Sequence, residues 1–389
     1  FFRSKAMSCA RIAIIGAGMC GSVCAWALAR KGVHVTVFEM GRGVGGRMAT
    51  RRSRDFPGFS CNHGAPLFYA KQEAFQEIVQ MLVGEGVLKV WDGDFGSMNP
   101  ATKEVAKDAP ARAYVGVPGM SSAVEPLTRG VEMRLQTQVT RVERRNQQWF
   151  VTDKDTQESA AFDWLVVTTH ALAHDRWKEI FGTPPPLQAA APSLHSPAAS
   201  ALVKSLGEVE TVPVMALMMA FGASPLWDRL PLDVARVEGS DVVSKIIRQP
   251  VAGSPFVVVV VHSTFDFARQ RRSVVGSGGT TAIMGAATDA IKEEAVIAEL
   301  YTGFTDCIRP WVGEVPKPLF GPLLHRWGAC FPLPAPEYPT PAGVAAADVG
   351  LVCVGDHLGP EAGSVEAAAM AGLKGADTIL AALGLDARL

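Results

Sequence analysis

Three features of this 389-residue sequence predict an α/β protein: a parallel-sheet nucleotide domain assembled from separated segments, carrying a second domain with a mostly antiparallel sheet and helices. The first feature is a strand, glycine turn, helix, strand unit between Arg11 and Glu39. The second is a buried strand near the other end that finishes in Gly355 and Asp356 and runs into a helix. The third is a middle region of long apolar strands with no glycine fingerprint preceded by a strand.

Length alone argues for two lobes, because a single core stops growing at roughly 250 to 300 residues. Composition is that of an ordinary globular chain: 48% apolar, 19% charged, with 37 basic against 38 acidic residues and a formal net charge of −1. Such a balance supplies no long-range field for phosphate backbones or anionic lipid, so no nucleic acid is expected and the expected ligand is small. The most apolar stretches, Val212 to Ala223 and Phe256 to Val261, fall short of the ~18 residues a membrane-spanning helix needs, which predicts a soluble protein without a transmembrane segment. Seven cysteines (Cys9, Cys20, Cys24, Cys61, Cys307, Cys330, Cys353) are scattered without a CxxC pair. That argues against a disulfide framework or a zinc cluster and fits a reducing compartment, cytoplasm or an organelle such as a plastid. The opening FFRSK is too short to identify a targeting peptide.

In the first unit the apolar run IAII leads into GAGMCG, then the helical VCAWALARKG, then VHVTVFE. Gly16 permits the tight turn, Gly18 lets backbone approach a pyrophosphate, and Gly21 lets the helix pack on the strand. The helix start offers free N–H groups and partial positive charge to the phosphates. Glu39, 23 positions after Gly16, is placed to accept hydrogen bonds from an adenosine ribose. Cys20 and Cys24, four apart on that helix, read as packing residues. Next comes MGRGVGGRMATRR, with five arginines from Arg42 to Arg54. Gly45, Gly46 and Arg47 lie one short turn past the ribose-binding strand, where a guanidinium can neutralise a pyrophosphate bidentately. This spacing points to FAD; the alternative is a solvated basic loop.

The run VFEMGRGVGGRMATRR followed by FSCNHGAPLFYA, Phe59 to Ala70, resembles the renalase-type branch of the amine-oxidase-like flavoproteins. Where that family has Asp-His-Gly-Ala, this chain has Asn62, His63, Gly64 and Ala65. Tyr114 to Val151 resembles the family's Gly-Met-Ser helix and the strand whose valine, here Val139, neighbours the adenine. Phe162 to Ala171 resembles the strand returning to the nucleotide domain, Leu323 to Pro332 the His-Arg-Trp strand lining the substrate cavity, and LVCVGDHLGPEAGSVEAAAMAGLKGADTIL the segment that closes the FAD site. The resemblance implies an FAD domain of the Rossmann type built from residues 1–80, 112–172 and 345–389, with 81–111 and 173–344 forming the substrate domain.

The closing segment also argues for itself. A strand ending in Gly355 and Asp356 can present a carboxylate to the ribityl chain or a pyrophosphate-linked sugar, and Ser364 suits a helix N-cap. The helix that follows, with Val365 and Glu366 in its first turn, would stabilise negative charge on a reduced flavin. The family commonly has Val-Glu-Gly where this chain has Val365, Glu366 and Ala367. In the middle region VPVMALMMAFGA, KIIRQP and FVVVVVHST predict strands of a mostly antiparallel sheet. Glu293 to Ile308 predicts a helix whose apolar face is Ala295, Ile297, Leu300 and Phe304. Arg271 to Asp289, rich in Gly, Ser and Thr, reads as a mobile loop.

A flavin carries the reaction itself, so the protein has to hold it and shape a cavity over its face. His63, His325 and Trp327 are the catalytic candidates, with His262 and Cys330 as further cavity candidates; for each histidine a hydrogen-bonded structural role is the alternative. Cys330 raises covalent attachment of the flavin, but the surrounding sequence lacks the pattern for it, so FAD is expected to be non-covalent. His34, His170, His174, His195 and His357 show no metal spacing, and no GxSxG elbow is present. With neither a second dinucleotide fingerprint nor a redox cysteine pair, a tightly held NADPH cosubstrate is disfavoured. The resemblance implies an FAD-dependent oxidoreductase that takes a hydride from a small donor, in renalases an isomeric dihydro-NAD(P), and passes electrons to oxygen. Two other readings stay open: an amine or other small-molecule oxidase, and a catalytically silent flavin-binding scaffold or complex subunit.

Overall fold

The computed structural model describes residues 10–109, 111–155, 157–250, 254–333 and 343–386. The opening FFRSK and Cys9 lie outside them. Chain order begins with β1 (Arg11–Ile15), α1 (Met19–Ala29) and β2 (His34–Phe38), and β3 (Trp164–Val167) follows much later. The second layer supplies β4 (Thr211–Gly222), β5 (Val243–Pro250), β6 (Phe256–Ser263), α2 (Ala290–Val312) and β7 (Phe320–Pro332). The chain then returns as β8 (Leu351–Cys353) and α3 (Val365–Ala382).

One sheet of six strands has the order Glu132–Arg134, β2, β1, β3, β8, Ala345–Ala346. All its pairings are parallel except the last. Both faces are covered, which is why β1 is nearly uninterrupted in its apolar residues. Ile12 and Ile14 pack with α1 and α3 on one side, while Ala13 and Ile15 pack with Phe38, Trp149 and Leu165 on the other. A Cβ on Gly372 of α3 would lie 2.3 Å from the Cys20 carbonyl oxygen, so the two helices cross at backbone contact. Helix α1 is enclosed from Met19 through Cys24, and its cysteines are packing residues as expected. Leu82 and Leu88 share the core of α1, whereas Phe95–Met98 joins the second sheet.

That second sheet runs β7, β4, β6, β5, Val234–Val237, Phe95–Met98, Val105–Lys107. It is antiparallel throughout except where Val234–Val237 meets Phe95–Met98. The period of two along β4 sends Met215, Leu217, Met219 and Phe221 to one face, in one core with Val296, Leu300 and Phe304 of α2. Ala216, Met218 and Ala220 go to the other, with Phe59 and Cys61 of the first layer.

Three local expectations change. The buried face of α2 is Val296, Leu300, Phe304 and Cys307, while Ala295 is exposed; the helix starts three residues earlier than expected, capped by Asp289 on the Lys292 N–H. The Gly-Met-Ser segment forms two 3-10 turns, Met120–Ala123 and Glu125–Thr128, rather than an α-helix. The 271–289 stretch is packed: a Cβ on Gly276 would lie 2.5 Å from the Leu324 carbonyl oxygen of β7, and Arg51 Nη1 donates to the Gly278 carbonyl at 2.7 Å. Buried Glu293 accepts the Ser277 N–H at 3.0 Å. No helix among the described residues is long and apolar enough to cross a membrane.

Candidate functional site

The turn after β1 is shaped by close approach. Gly16 sits at φ +106° and its N–H donates to the Phe38 carbonyl at 2.8 Å. A Cβ on Gly21 would lie 1.9 Å from the Gly16 carbonyl oxygen, so only glycine lets α1 come this near the turn. Gly18 has open space where its Cβ would be. No side chain caps α1 and its first turn holds no acid, so its leading N–H groups and partial positive charge face the space beside Gly18.

Glu39 borders the same space. Its carboxylate accepts the Ala17 N–H at 2.8 Å and the Gly41 N–H at 2.6 Å. Burial pushes its pKa up, and these two hydrogen bonds oppose that shift. The second glycine cluster folds back onto the first: Gly45 N–H donates to the Ala17 carbonyl at 2.8 Å, and a Cβ on Gly46 would meet Gly18 Cα at 3.3 Å.

Arg47 joins the two ends of the chain. Its guanidinium forks onto Asp356 with two 2.7 Å hydrogen bonds and donates to the Cys330 carbonyl at 2.7 Å. Burial pulls the Asp356 carboxyl up, but the charge and hydrogen bonds of Arg47 outweigh it and hold the carboxyl below its ordinary range. Arg47 therefore pairs with a carboxylate 309 residues away, a partnership that spacing could not reveal. Glu366 is also engaged: buried, it accepts the Lys71 and Gln72 N–H groups at 2.7 Å each. Ser364 caps α3 by accepting the Ala367 N–H at 2.9 Å, as expected.

These groups surround one cavity of about 520 Å³ between the two sheets. Of the predicted cofactor residues, Gly16, Gly18, Glu39, Gly45, Gly46, Arg47, Gly64, Ala65, Val139, Asp356, Val365 and Glu366 line it. Gly21 and Gly355 stand behind the wall; a Cβ on Gly355 would collide with the His357 ring at 2.7 Å. Thr168, His170, Trp177, Lys245 and His357 also line the cavity and were not singled out for it from sequence. His170 and His357 show no metal spacing; their signal is position, each a few residues past the end of a strand of the parallel sheet.

The catalytic candidates form a cluster beside this cavity. His63 stacks on Trp327 with ring centroids 4.9 Å apart and meets the edge of His325 at 4.7 Å. The His63 carbonyl accepts Trp327 Nε1–H at 3.1 Å and pairs with His262 Nε2 at 2.9 Å. Burial holds the imidazoles neutral, lowering His63 to about 4 and His262 to about 3. Neutral His262 therefore donates from Nε2, and His63 Nδ1 is buried without a hydrogen-bond partner among the described residues. Asn62 is a local knot: its Oδ1 accepts from Thr50 Oγ1 at 3.0 Å and from the Met120 N–H at 2.9 Å. Cys330 lines the cavity, and burial pushes its thiol up to about 12. No cluster of potential metal ligands occurs among the described residues.

Residues 14–82 match the family described as NAD(P)-binding Rossmann-like domain. The chain is 28% identical to mouse renalase over 172 residues, 41% of this chain and 47% of that protein, so it spans about half the length of the curated relative it matches. Among solved structures, cyclohexylamine oxidase from Brevibacterium oxydans IH-35A aligns with a TM-score of 0.65 at 12% identity, covering 96% of this chain and 99% of that one. The chain shares the fold of that oxidase. A putative protoporphyrinogen oxidase from Exiguobacterium sp. 255-15 aligns with a TM-score of 0.64 at 12% identity, over 97% of this chain and 100% of that one. The expected α/β class, with its nucleotide-binding layer and second sheet, therefore holds.

Within that fold the residues fit a flavin dinucleotide. The uncapped start of α1 beside the open face of Gly18 suits a pyrophosphate, and Glu39 retains acceptor capacity for a ribose. The far end of the cavity, at Cys330, Phe331, His262 and Lys245, is walled by the second sheet, where a ring system would be shielded from water.

Proposed function

We propose that this protein is an FAD-dependent oxidoreductase that accepts a hydride from a small donor at the flavin N5 and is reoxidised by oxygen. The observation that carries this reading is the convergence of Gly18, Glu39, Asp356 and Glu366 from both ends of the chain on one cavity whose far end is walled by the second sheet. The likeness to mouse renalase, and to oxidases across nearly the whole chain, supports it. Bound FAD would supply the two-electron acceptor. The α1 N-terminus and Gly18 would hold the pyrophosphate, Glu39 the adenosine ribose, and Val139 the adenine edge. Asp356, kept ionised by Arg47, would accept hydrogen bonds from the ribityl hydroxyls.

The His63, His325 and Trp327 cluster lies behind the cavity wall and reaches it through the His63 carbonyl, which is bonded to the cavity-lining His262. Burial lowers the pKa of both imidazoles of the cluster, which makes them weak bases; that agrees with a donor of the dihydronicotinamide type, whose loss of hydride is driven by aromatisation. We place the flavin non-covalently, because a thiol pushed up to about 12 is a poor nucleophile.

The test is an absorption spectrum of the purified protein, followed by anaerobic titration with dihydronicotinamide isomers and with amines. A flavin spectrum that bleaches with a dihydronicotinamide is expected. Protein that refuses added FAD, or flavin that stays oxidised with every donor, would overturn the reading.

A further inference from the structure

We propose that Lys245 is an anion-recognition residue that selects donors bearing a carboxylate or phosphate and turns away protonated amines. This rests on the oxidoreductase reading above and names the substrate class of that site.

The strand registers place the residue. Arg236 stands opposite Lys245, Lys245 opposite His262, His262 opposite Ala216, and Ala216 opposite His325. Residues paired across neighbouring strands project to the same face, and the His262 bond to the His63 carbonyl shows that this face looks towards the nucleotide layer. Lys245 and His262 line the main cavity and also a second chamber of about 450 Å³ that extends past Ser244 and Arg236 to Glu238. Lys245 therefore stands where the two spaces join, between the flavin end of the site and this second chamber.

Its ammonium has no counter-ion among the described residues. No hydrogen bond or ion pair links Lys245 Nζ to any described residue. Of the other charged groups of the chamber, Arg236 is forked onto Asp108 at 2.9 and 2.6 Å, and Glu238 is exposed at the rim. Burial lowers the Lys245 pKa, with Cys330 opposing and Arg236 adding to the shift, and no carboxylate among the described residues counters the burial. An enclosed cation without a partner is destabilising until a ligand supplies the opposite charge. The apolar walls of Val214, Phe265 and Phe331 strengthen attraction to an anion, because low local polarity screens charge poorly. The same field opposes a protonated amine, so the chamber discriminates by repulsion as well as attraction. Cyclohexylamine oxidase and putrescine oxidase, which share this fold, are named for amines; here such a donor would meet a like charge.

Four non-reducing probes of one shape test this: benzoate, phenyl phosphate, benzamide and benzylammonium, titrated calorimetrically into the purified flavin-loaded protein at pH 7. At least one anion is expected to bind tenfold or more tightly than benzamide, with benzylammonium weakest; which anion binds distinguishes carboxylate from phosphate donors. K245M should level the four probes to within about twofold, and K245R should retain the anion preference. FAD content and melting temperature confirm that the variants fold. Equal binding of benzoate, phenyl phosphate and benzamide by the parent protein overturns the proposal. So does an anion preference that survives in K245M, including the case where K245M loses FAD, which would assign the ammonium to the cofactor. The heats need no turnover: anion preference without reduction by any donor would sink the oxidoreductase reading alone, and reduction without anion preference would sink this one alone.

Discussion

Breaking the Arg47–Asp356 fork should separate the two ends of the chain energetically. Two unit charges about 4 Å apart at an effective dielectric near 20 attract by about 4 kcal/mol. Arg47 is 36% and Asp356 13% exposed, so solvent screening reduces this to roughly 2 kcal/mol. Removing either partner leaves the other half-buried and uncompensated, so D356N and R47A should each lower the unfolding free energy by about 2 to 3 kcal/mol. The assay is urea unfolding of the parent, both single variants and the double variant, read by Trp fluorescence, with the coupling taken from the cycle. A coupling near 2 kcal/mol is expected at pH 7. Because Asp356 is held below its ordinary carboxyl range in the folded protein, this stabilisation is complete above the unfolded value of about 3.9 and is lost as pH falls through the folded value. A coupling under about 0.5 kcal/mol would refute the reasoning. Repeating the cycle with FAD-saturated protein shows whether Arg47 stays on Asp356 or turns to the pyrophosphate, in which case the coupling falls.

Gly18 and Gly21 should behave differently. G21A drives a methyl into the Gly16 carbonyl and should cost about 3 kcal/mol or more, seen as a lower melting temperature without ligand. G18A has open space; it should leave that melting temperature nearly unchanged while weakening FAD binding about tenfold, measured by flavin fluorescence quenching. Denaturing the loaded protein and filtering it should release all yellow colour, and C330A should retain FAD equally well; flavin remaining on the polypeptide would contradict the non-covalent site. The lowered pKa values of His63 and His262, about 4 and about 3, mean that unfolding takes up protons below the unfolded value of ~6.5. Stability should therefore be nearly flat from pH 7 to 8 and fall between 6.5 and 5 by about 1.4 kcal/mol per pH unit for each histidine involved. H262Q should make that fall shallower, as followed by urea midpoints across the range.

The nucleotide layer was legible in the sequence because its determinants are local. Gly16, Gly18 and Gly21 meet constraints that act within one turn of chain, and Ser364 caps the helix it begins. The period of two along β4 follows from which neighbours cover each face. What only the tertiary structure decided are the pairings made across long separations. Arg47 reads as a phosphate ligand until the fold sets Asp356 against it, 309 residues on. Glu366, placed in sequence beside the cofactor, anchors Lys71 and Gln72 N–H groups from the other end of the chain. Lys245 carries no signal in sequence beyond belonging to the strand KIIRQP, since neither composition nor spacing records register. The ladders that align it with His262, Ala216 and His325 form only when β4, β5, β6 and β7 assemble. Electrostatic character in the site is a property of that assembly, because it depends on which groups share an enclosure and which of them find a partner there.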